Sequence, residues 1–135
     1  LGKLRVSEDI IDKPSPLTSD ERACMQRHSY DTYRILLRVF SDSKIPVWAG
    51  FHHENLRGEG YPFNSDGHAL DLECRIICVA DIFQALAQTR PYRDGMALTE
   101  ILNHLRRRVD EGVLDRVVVE KLAANADDYY KLALD

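Results

Sequence analysis

The stretch LDLECRIICVADIFQALAQ, residues 70–88, decides the fold. It is apolar on nearly all sides, holds no glycine or proline, and is too long for an ordinary strand, so it is expected to be a central buried helix. The flanking sequence supplies further helices to pack on it. Upstream, Thr18 with Glu21 three residues on is a capping box and starts a helix. A second helix is expected over roughly 30–40, where Tyr33, Leu36, Leu37 and Phe40 recur at helical spacing as one buried stripe. His28 then falls where one helix gives way to the next. Pro46 suits the first turn of a third helix through Trp48, Phe51, His52 and His53. Downstream, residues 97–110 carry the amphipathic stripe Leu98, Ile101, Leu102, Leu105 and Val109, with Gly112 as a C-terminal stop. Asp115 can cap another helix, and a last helical stretch surrounds Tyr129 and Tyr130. Residues 4–17, with Pro14 and Pro16, read as an irregular arm. No convincing strand appears, so the expected class is all-α, one helical domain over residues 1–135.

Composition narrows the function classes. The chain has 135 residues, 44% hydrophobic and 30% charged, enough to bury a core. Lys plus Arg number 18 against 22 for Asp plus Glu, a net charge of −4, which argues against a broad surface for nucleic-acid polymers or anionic membranes. No apolar run reaches the roughly 18 residues of a membrane span, and no secretory leader pattern is present. Cys24, Cys74 and Cys78 are an odd, sparse set that reads as reduced thiols in a cytoplasmic protein. Cys74 and Cys78, four apart on one helix face, read as small buried residues, with a metal or redox pair as the alternative. Because the first residue is Leu1 rather than Met, the chain is expected to be a piece of a longer protein.

Several residues can carry chemistry. Asp81 sits among Ile76, Ile77, Val79, Ala80, Ile82 and Phe83, where an unpaired carboxylate is costly. It therefore needs a partner: an arginine, a helix N-terminus or a cation. His52 and His53 are consecutive; on a helix they diverge by about 100° and do not converge easily on one ion. They read either as one core and one surface histidine or as groups serving two neighbouring metals, or one metal and a substrate. Glu54 reads as a solvated or ligating carboxylate, and His28 alone carries no signal. Residues 55–69, NLRGEGYPFNSDGHA, form a long loop carrying Gly58, Gly60, Tyr61 and Pro62, in which the glycines allow a close backbone approach to a ligand and the proline stiffens the exit. Arg90-Pro91-Tyr92-Arg93 places two guanidinium groups and an aromatic ring within four residues, a match for phosphate and base or an ordinary charged turn. Arg106-Arg107-Arg108 reads as a solvated helix face.

Taken together these segments resemble the HD-GYP family of metal-dependent phosphohydrolases, bacterial cyclic di-GMP phosphodiesterases. The resemblance rests on Pro16-Leu17-Thr18, His28, His52-His53-Glu54, Gly58-Glu59-Gly60-Tyr61-Pro62, Arg75-Ile76, Ala80-Asp81-Ile82-Phe83-Gln84-Ala85-Leu86 and Arg90-Pro91-Tyr92-Arg93, in the family's order and spacing. It implies an HD-domain-like helical bundle, the C-terminal part of an HD-GYP domain, whose His-Asp dyad is expected just before residue 1. It implies two or three divalent metal ions, iron or manganese, with His28, His52, His53 and Asp81 as ligands. Lys3 matches the family lysine that acts on the substrate phosphate. Gly60, Tyr61, Pro62, Arg90 and Arg93 would bind substrate. The implied reaction is hydrolysis of cyclic di-GMP to pGpG or GMP, in a cytoplasmic output domain joined to an upstream sensory or receiver domain, with a homodimer as a possible assembly. One residue departs from the pattern: Arg57 stands where the family has an aspartate, which reverses a charge beside the loop. That departure keeps two alternatives open, a catalytically degenerate binding or interaction module on the same fold and an HD hydrolase of another nucleotide.

Overall fold

The side chains of Thr18 and Asp115 cap the helices that begin at Ser19 and Arg116. The computed structural model describes residues 1–89 and 93–134; Arg90, Pro91 and Tyr92 of the expected turn lie outside the described residues. A 3₁₀ turn, Gly2–Arg5, leads into the one-turn α1, Glu8–Ile11, so the arm is less irregular than its prolines suggest. The long α2, Ser19–Val39, opens with the expected capping box: Thr18 Oγ1 accepts from Glu21 N–H, and Glu21 accepts from Thr18 N–H at 2.8 Å. No break occurs at His28. The two helices expected there are one, because no glycine or proline interrupts Ser19–Val39. The stripe expected to be buried over Tyr33, Leu36, Leu37 and Phe40 is a second correction. Leu37 and Phe40 are exposed, and α2 buries His28, Ser29 and Asp31 instead.

After α2 the chain turns into α3, Ile45–Gly50, with Pro46 in its first turn. The helix stops at Gly50, three residues earlier than the reading through His53. Tight packing explains the glycine, since a β-carbon there would overlap the Tyr33 side chain on α2 at 2.6 Å. His52 and His53 therefore sit in the turn beyond the helix.

The central helix is α4, Leu72–Ala87, followed by α5, Leu98–Asp110, α6, Arg116–Ala123, and α7, Ala126–Leu134. Cys78, Val79, Phe83 and Ala87 of α4 join Ile101 and Leu105 of α5, Val118 and Val119 of α6 and Ala133 of α7 in one core. Side chains such as Ile101 and Leu105, fully buried, contribute about 1.5–3 kcal/mol each. Contrary to burial on all sides, α4 leaves one stripe outside, with Leu72 56% and Ile76 46% exposed. The start of α6 is held by Asp115. Its Oδ1 accepts from Val117 and Val118 N–H as the cap of α6, while Oδ2 pairs with Arg75 of α4 at 3.2 Å. Cys74 and Cys78 are buried free thiols, and no strand forms among the described residues. No described helix is long and apolar enough to cross a membrane.

Candidate metal centre and cleft

Two segments bring the histidines together. His28 comes from the middle of α2, and His52 and His53 from the turn after α3, which packs on α2. Their ligand atoms all lie within 4.8 Å of one another. Leaving the helix frees the consecutive pair from the divergence expected on a helical backbone: the His52 and His53 ring centroids are 4.0 Å apart. Two of the rings are fixed in tautomer. His28 Nδ1 donates to Met25 O at 2.6 Å, and His52 Nδ1 donates to Ala49 O at 2.8 Å. A carbonyl only accepts, so in the neutral rings each Nε2 carries a lone pair. These two Nε2 atoms face each other at 3.3 Å; the Ser29 hydroxyl, 3.3 Å from His28 Nε2, can satisfy that one lone pair, whereas a shared cation would satisfy both. Orientation of ligand histidines through Nδ1–H to backbone carbonyls is the arrangement metal sites use.

Electrostatics keep the rings neutral. Burial lowers the pKa of His28 and His52 below the ordinary histidine value, despite the opposing backbone hydrogen bonds. For His53, burial, then the neighbouring His52, His28 and Lys3, brings it down to about 3. Neutral imidazole is the metal-binding form, so the donor set fits a divalent transition metal.

Asp81 projects from α4 toward the same place. Its Oδ2 is 3.7 Å from His53 Nδ1, too long for a hydrogen bond, and its side chain is 41% exposed. The carboxylate expected among apolar neighbours instead faces a cleft of about 800 Å³, shared with Lys3, His28, His53 and Tyr61. Lys3 reaches that wall because Gly2 packs flat on α2: its N–H donates to Thr32 Oγ1 at 2.8 Å, and a β-carbon would overlap the His28 carbonyl.

The glycine loop is held by a residue whose role the sequence left open. Glu54 is 1% exposed and bonds the far side of the loop, accepting from Phe63 N–H at 2.7 Å and Ser65 N–H at 2.9 Å. It is a loop clamp, and the signal for it was a carboxylate placed just before a glycine-rich run of unpaired N–H groups. Gly60 is buried against the chain at His53-Glu54, where a β-carbon would come within 2.5 Å of His53 O. Tyr61 N–H donates to His53 O at 3.2 Å and its ring lies 4.6 Å from the His53 ring. Burial, with Asp81 nearby, pushes the Tyr61 hydroxyl up to about 12, so it stays a neutral phenol. Pro62 is half-buried behind it, joined by a cis peptide bond.

Not all expected substrate residues reach the cleft. Arg93 Nη2 donates to the carbonyls of Ala85 and Leu86, at 2.5 and 3.4 Å, and so caps the C-terminus of α4. Among the described residues it does not line the cleft. Arg90 lies outside the described residues. Arg57, the charge reversal, is exposed and paired with Glu59 at 2.7 Å, away from the cleft wall.

An all-helical bundle with three converging, neutral histidines on a substrate-sized cleft defines a class: helical domains built around a metal centre. The chain belongs to the HD domain family, whose profile matches residues 1–118. Among curated proteins it is similar to 3'3'-cGAMP-specific phosphodiesterase 1 of Vibrio cholerae, 46% identical over 134 residues, 99% of this chain and 31% of the relative. It is also similar to the cyclic di-GMP phosphodiesterase response regulator RpfG of Xanthomonas campestris, 38% identical over 108 residues, 78% of this chain and 28% of the relative. A cyclic di-GMP phosphodiesterase of Thermotoga maritima is 32% identical over 111 residues, 78% of this chain and 29% of the relative. The chain thus spans less than a third of the length of these relatives.

Proposed function

We propose that this chain forms the metal-holding part of a metal-dependent phosphodiesterase that hydrolyses cyclic di-GMP. The observation that carries the reading is the His28–His52–His53 cluster opening, with Asp81, onto the cleft that Lys3 and Tyr61 also line. His28, His52, His53 and Asp81 would hold two or three divalent ions, iron or manganese, because imidazole with carboxylate suits those metals. Bound there, such ions polarise phosphoryl oxygens and make water nucleophilic at neutral pH.

The chain's own residues account for the rest. Lys3 offers an ammonium group to the phosphate that meets the histidines, where charge develops during hydrolysis. The neutral Tyr61 phenol is a hydrogen-bond donor on the same wall, and the His53–Glu54 backbone anchors the loop that carries it. The arm beside the cleft shields one side from solvent, and a volume of about 800 Å³ is far larger than a single phosphate needs. Relatives named for cyclic di-GMP and for 3'3'-cGAMP support a cyclic dinucleotide as the substrate class. The test uses the full-length protein loaded with manganese or iron(II) and offered each dinucleotide, with products separated by chromatography. Linear pGpG from cyclic di-GMP is the expected outcome. Faster turnover of 3'3'-cGAMP would reassign the substrate, and no linear product from either would overturn the reading.

A further inference from the structure

The cleft continues well past the histidines. Residues 10–17 of the arm form one wall, and Arg22, Met25 and His28 descend the facing side of α2 at three-residue spacing. Six residues separate Arg22 from His28, about 9 Å along the axis at about 1.5 Å per residue. A group bound at Arg22 is therefore distinct from a phosphate centred on the histidines, yet within the span of one nucleotide.

The charges at this end are unevenly spent. Glu21 binds Lys13 Nζ through both carboxylate oxygens, at 2.8 and 2.6 Å, and also accepts from Thr18 N–H. Lys13 is thereby neutralised and the arm is tied to the first turn of α2. Arg22 is exposed and forms no ion pair among the described residues. The cleft that Arg22 lines is also lined by the apolar Ile10, Pro16, Leu17 and Met25, by Ser15 and the paired Lys13, and by the Asp12 carboxylate. A second phosphate would be poorly hydrated against such a wall. A purine is suited to it, with its face on apolar side chains and its edge on a guanidinium fork.

The fork also chooses between purines. Guanine offers two acceptors, O6 and N7, to a bidentate arginine, and its N2 amino group suits a carboxylate. Adenine instead presents an N6 donor to a group that only donates. We infer that Arg22 is a specificity residue that reads guanine in the substrate, with the Lys13–Glu21 pair positioning the arm around that base. This rests on the cyclic dinucleotide reading above.

The test measures binding of cyclic di-GMP, 3'3'-cGAMP and cyclic di-AMP to the full-length, metal-loaded protein by calorimetry, for the wild type, Arg22→Gln and Arg22→Leu. The wild type should favour guanine. Arg22→Gln should lose affinity for cyclic di-GMP by about 5- to 150-fold relative to cyclic di-AMP, because glutamine pairs with adenine N6 and N7. Arg22→Leu should lose the preference without gaining adenine. An equal loss on all three ligands would make Arg22 a phosphate contact and overturn the inference, as would an unchanged ratio. Wild-type protein that binds none of the three would sink the proposed function itself, whereas binding without Arg22-dependent discrimination removes this inference alone. The exposed position of Arg22 leaves folding undisturbed, which thermal melts of both variants check.

Discussion

His28 Nε2 and His52 Nε2 point at each other across 3.3 Å, and both rings are held in that orientation by Nδ1–H bonds to the carbonyls of Met25 in α2 and Ala49 in α3. Two lone pairs so placed repel; the Ser29 hydroxyl can ease this at His28 alone, and a cation between the rings would ease it at both. The arrangement is costly without metal and favourable with it.

Replacing either ring should therefore empty the centre. His52→Ala and His28→Ala are expected to lower bound iron or manganese sharply, as read by elemental analysis of the purified full-length protein. Because His28 is buried, His52→Ala, in a half-buried turn, is the cleaner variant. Wild-type metal content in both would refute the ligand assignment.

The same burial predicts a pH dependence for the metal-free protein. Unfolded histidines titrate near 6.5, whereas the folded His53 sits at about 3 and the pKa values of His28 and His52 are also lowered. Between those limits the unfolded state binds more protons, so stability falls as pH drops below about 6.5. Urea midpoints at pH 7.5, 6 and 5 should decline in that order, and substituting His53 should flatten the trend. A midpoint that rises toward pH 5 would contradict this account.

Glu54 should matter to the loop more than to the metal. In Glu54→Ala the N–H groups of Phe63 and Ser65 lose their acceptors, each costing about 1–3 kcal/mol if it stays buried. The expected outcome is a lower unfolding midpoint together with faster proteolysis within residues 55–66. Loss of metal without loss of stability would instead make Glu54 a ligand.

At the start of α6, Asp115→Ala should destabilise by about 0.5–2 kcal/mol near neutral pH through loss of the cap. Burial raises the Asp115 pKa, but N–H bonds from Val118 and Val117 and the Arg75 ion pair outweigh it and hold the carboxyl below its ordinary value. Its contribution is thus present above about pH 4 and lost as pH falls through the lowered folded value. The gap between variant and wild type in denaturant titrations should narrow at pH 3; a constant gap would show that the charge plays no part.

Most of the helical architecture was legible locally. Thr18 with Glu21 and Asp115 satisfy helix starts through bonds to near neighbours, Pro46 suits a first turn through its fixed φ, and Gly112 follows a helix end at positive φ, so their meaning travels with the sequence. The apolar run of residues 70–88 announced the central helix for the same reason. The continuity of α2 through His28 was less legible, because a polar buried segment carries no apolar stripe to mark it. The extent of burial around α4 was also misread: hydrophobicity says that a face can be buried, not that a neighbour covers it, and Leu72 and Ile76 remain outside.

The site divides along the same line. Residue types alone left His28 without a signal and the roles of His52, His53 and Asp81 open; only the order of motifs shared with a known family joined the four into one candidate ligand set. Their convergence was a matter of tertiary structure. It needed α3 to stop at Gly50 against Tyr33, the turn to swing both histidines toward α2, and Glu54 to bury its charge under the loop. Arg93 illustrates the converse, a guanidinium available to a phosphate by composition but taken up by the open carbonyls of α4. Local hydrogen bonding and periodicity are short-range and can be read along the chain. Which lone pairs meet, and which charges are already satisfied, depends on packing between segments far apart in sequence.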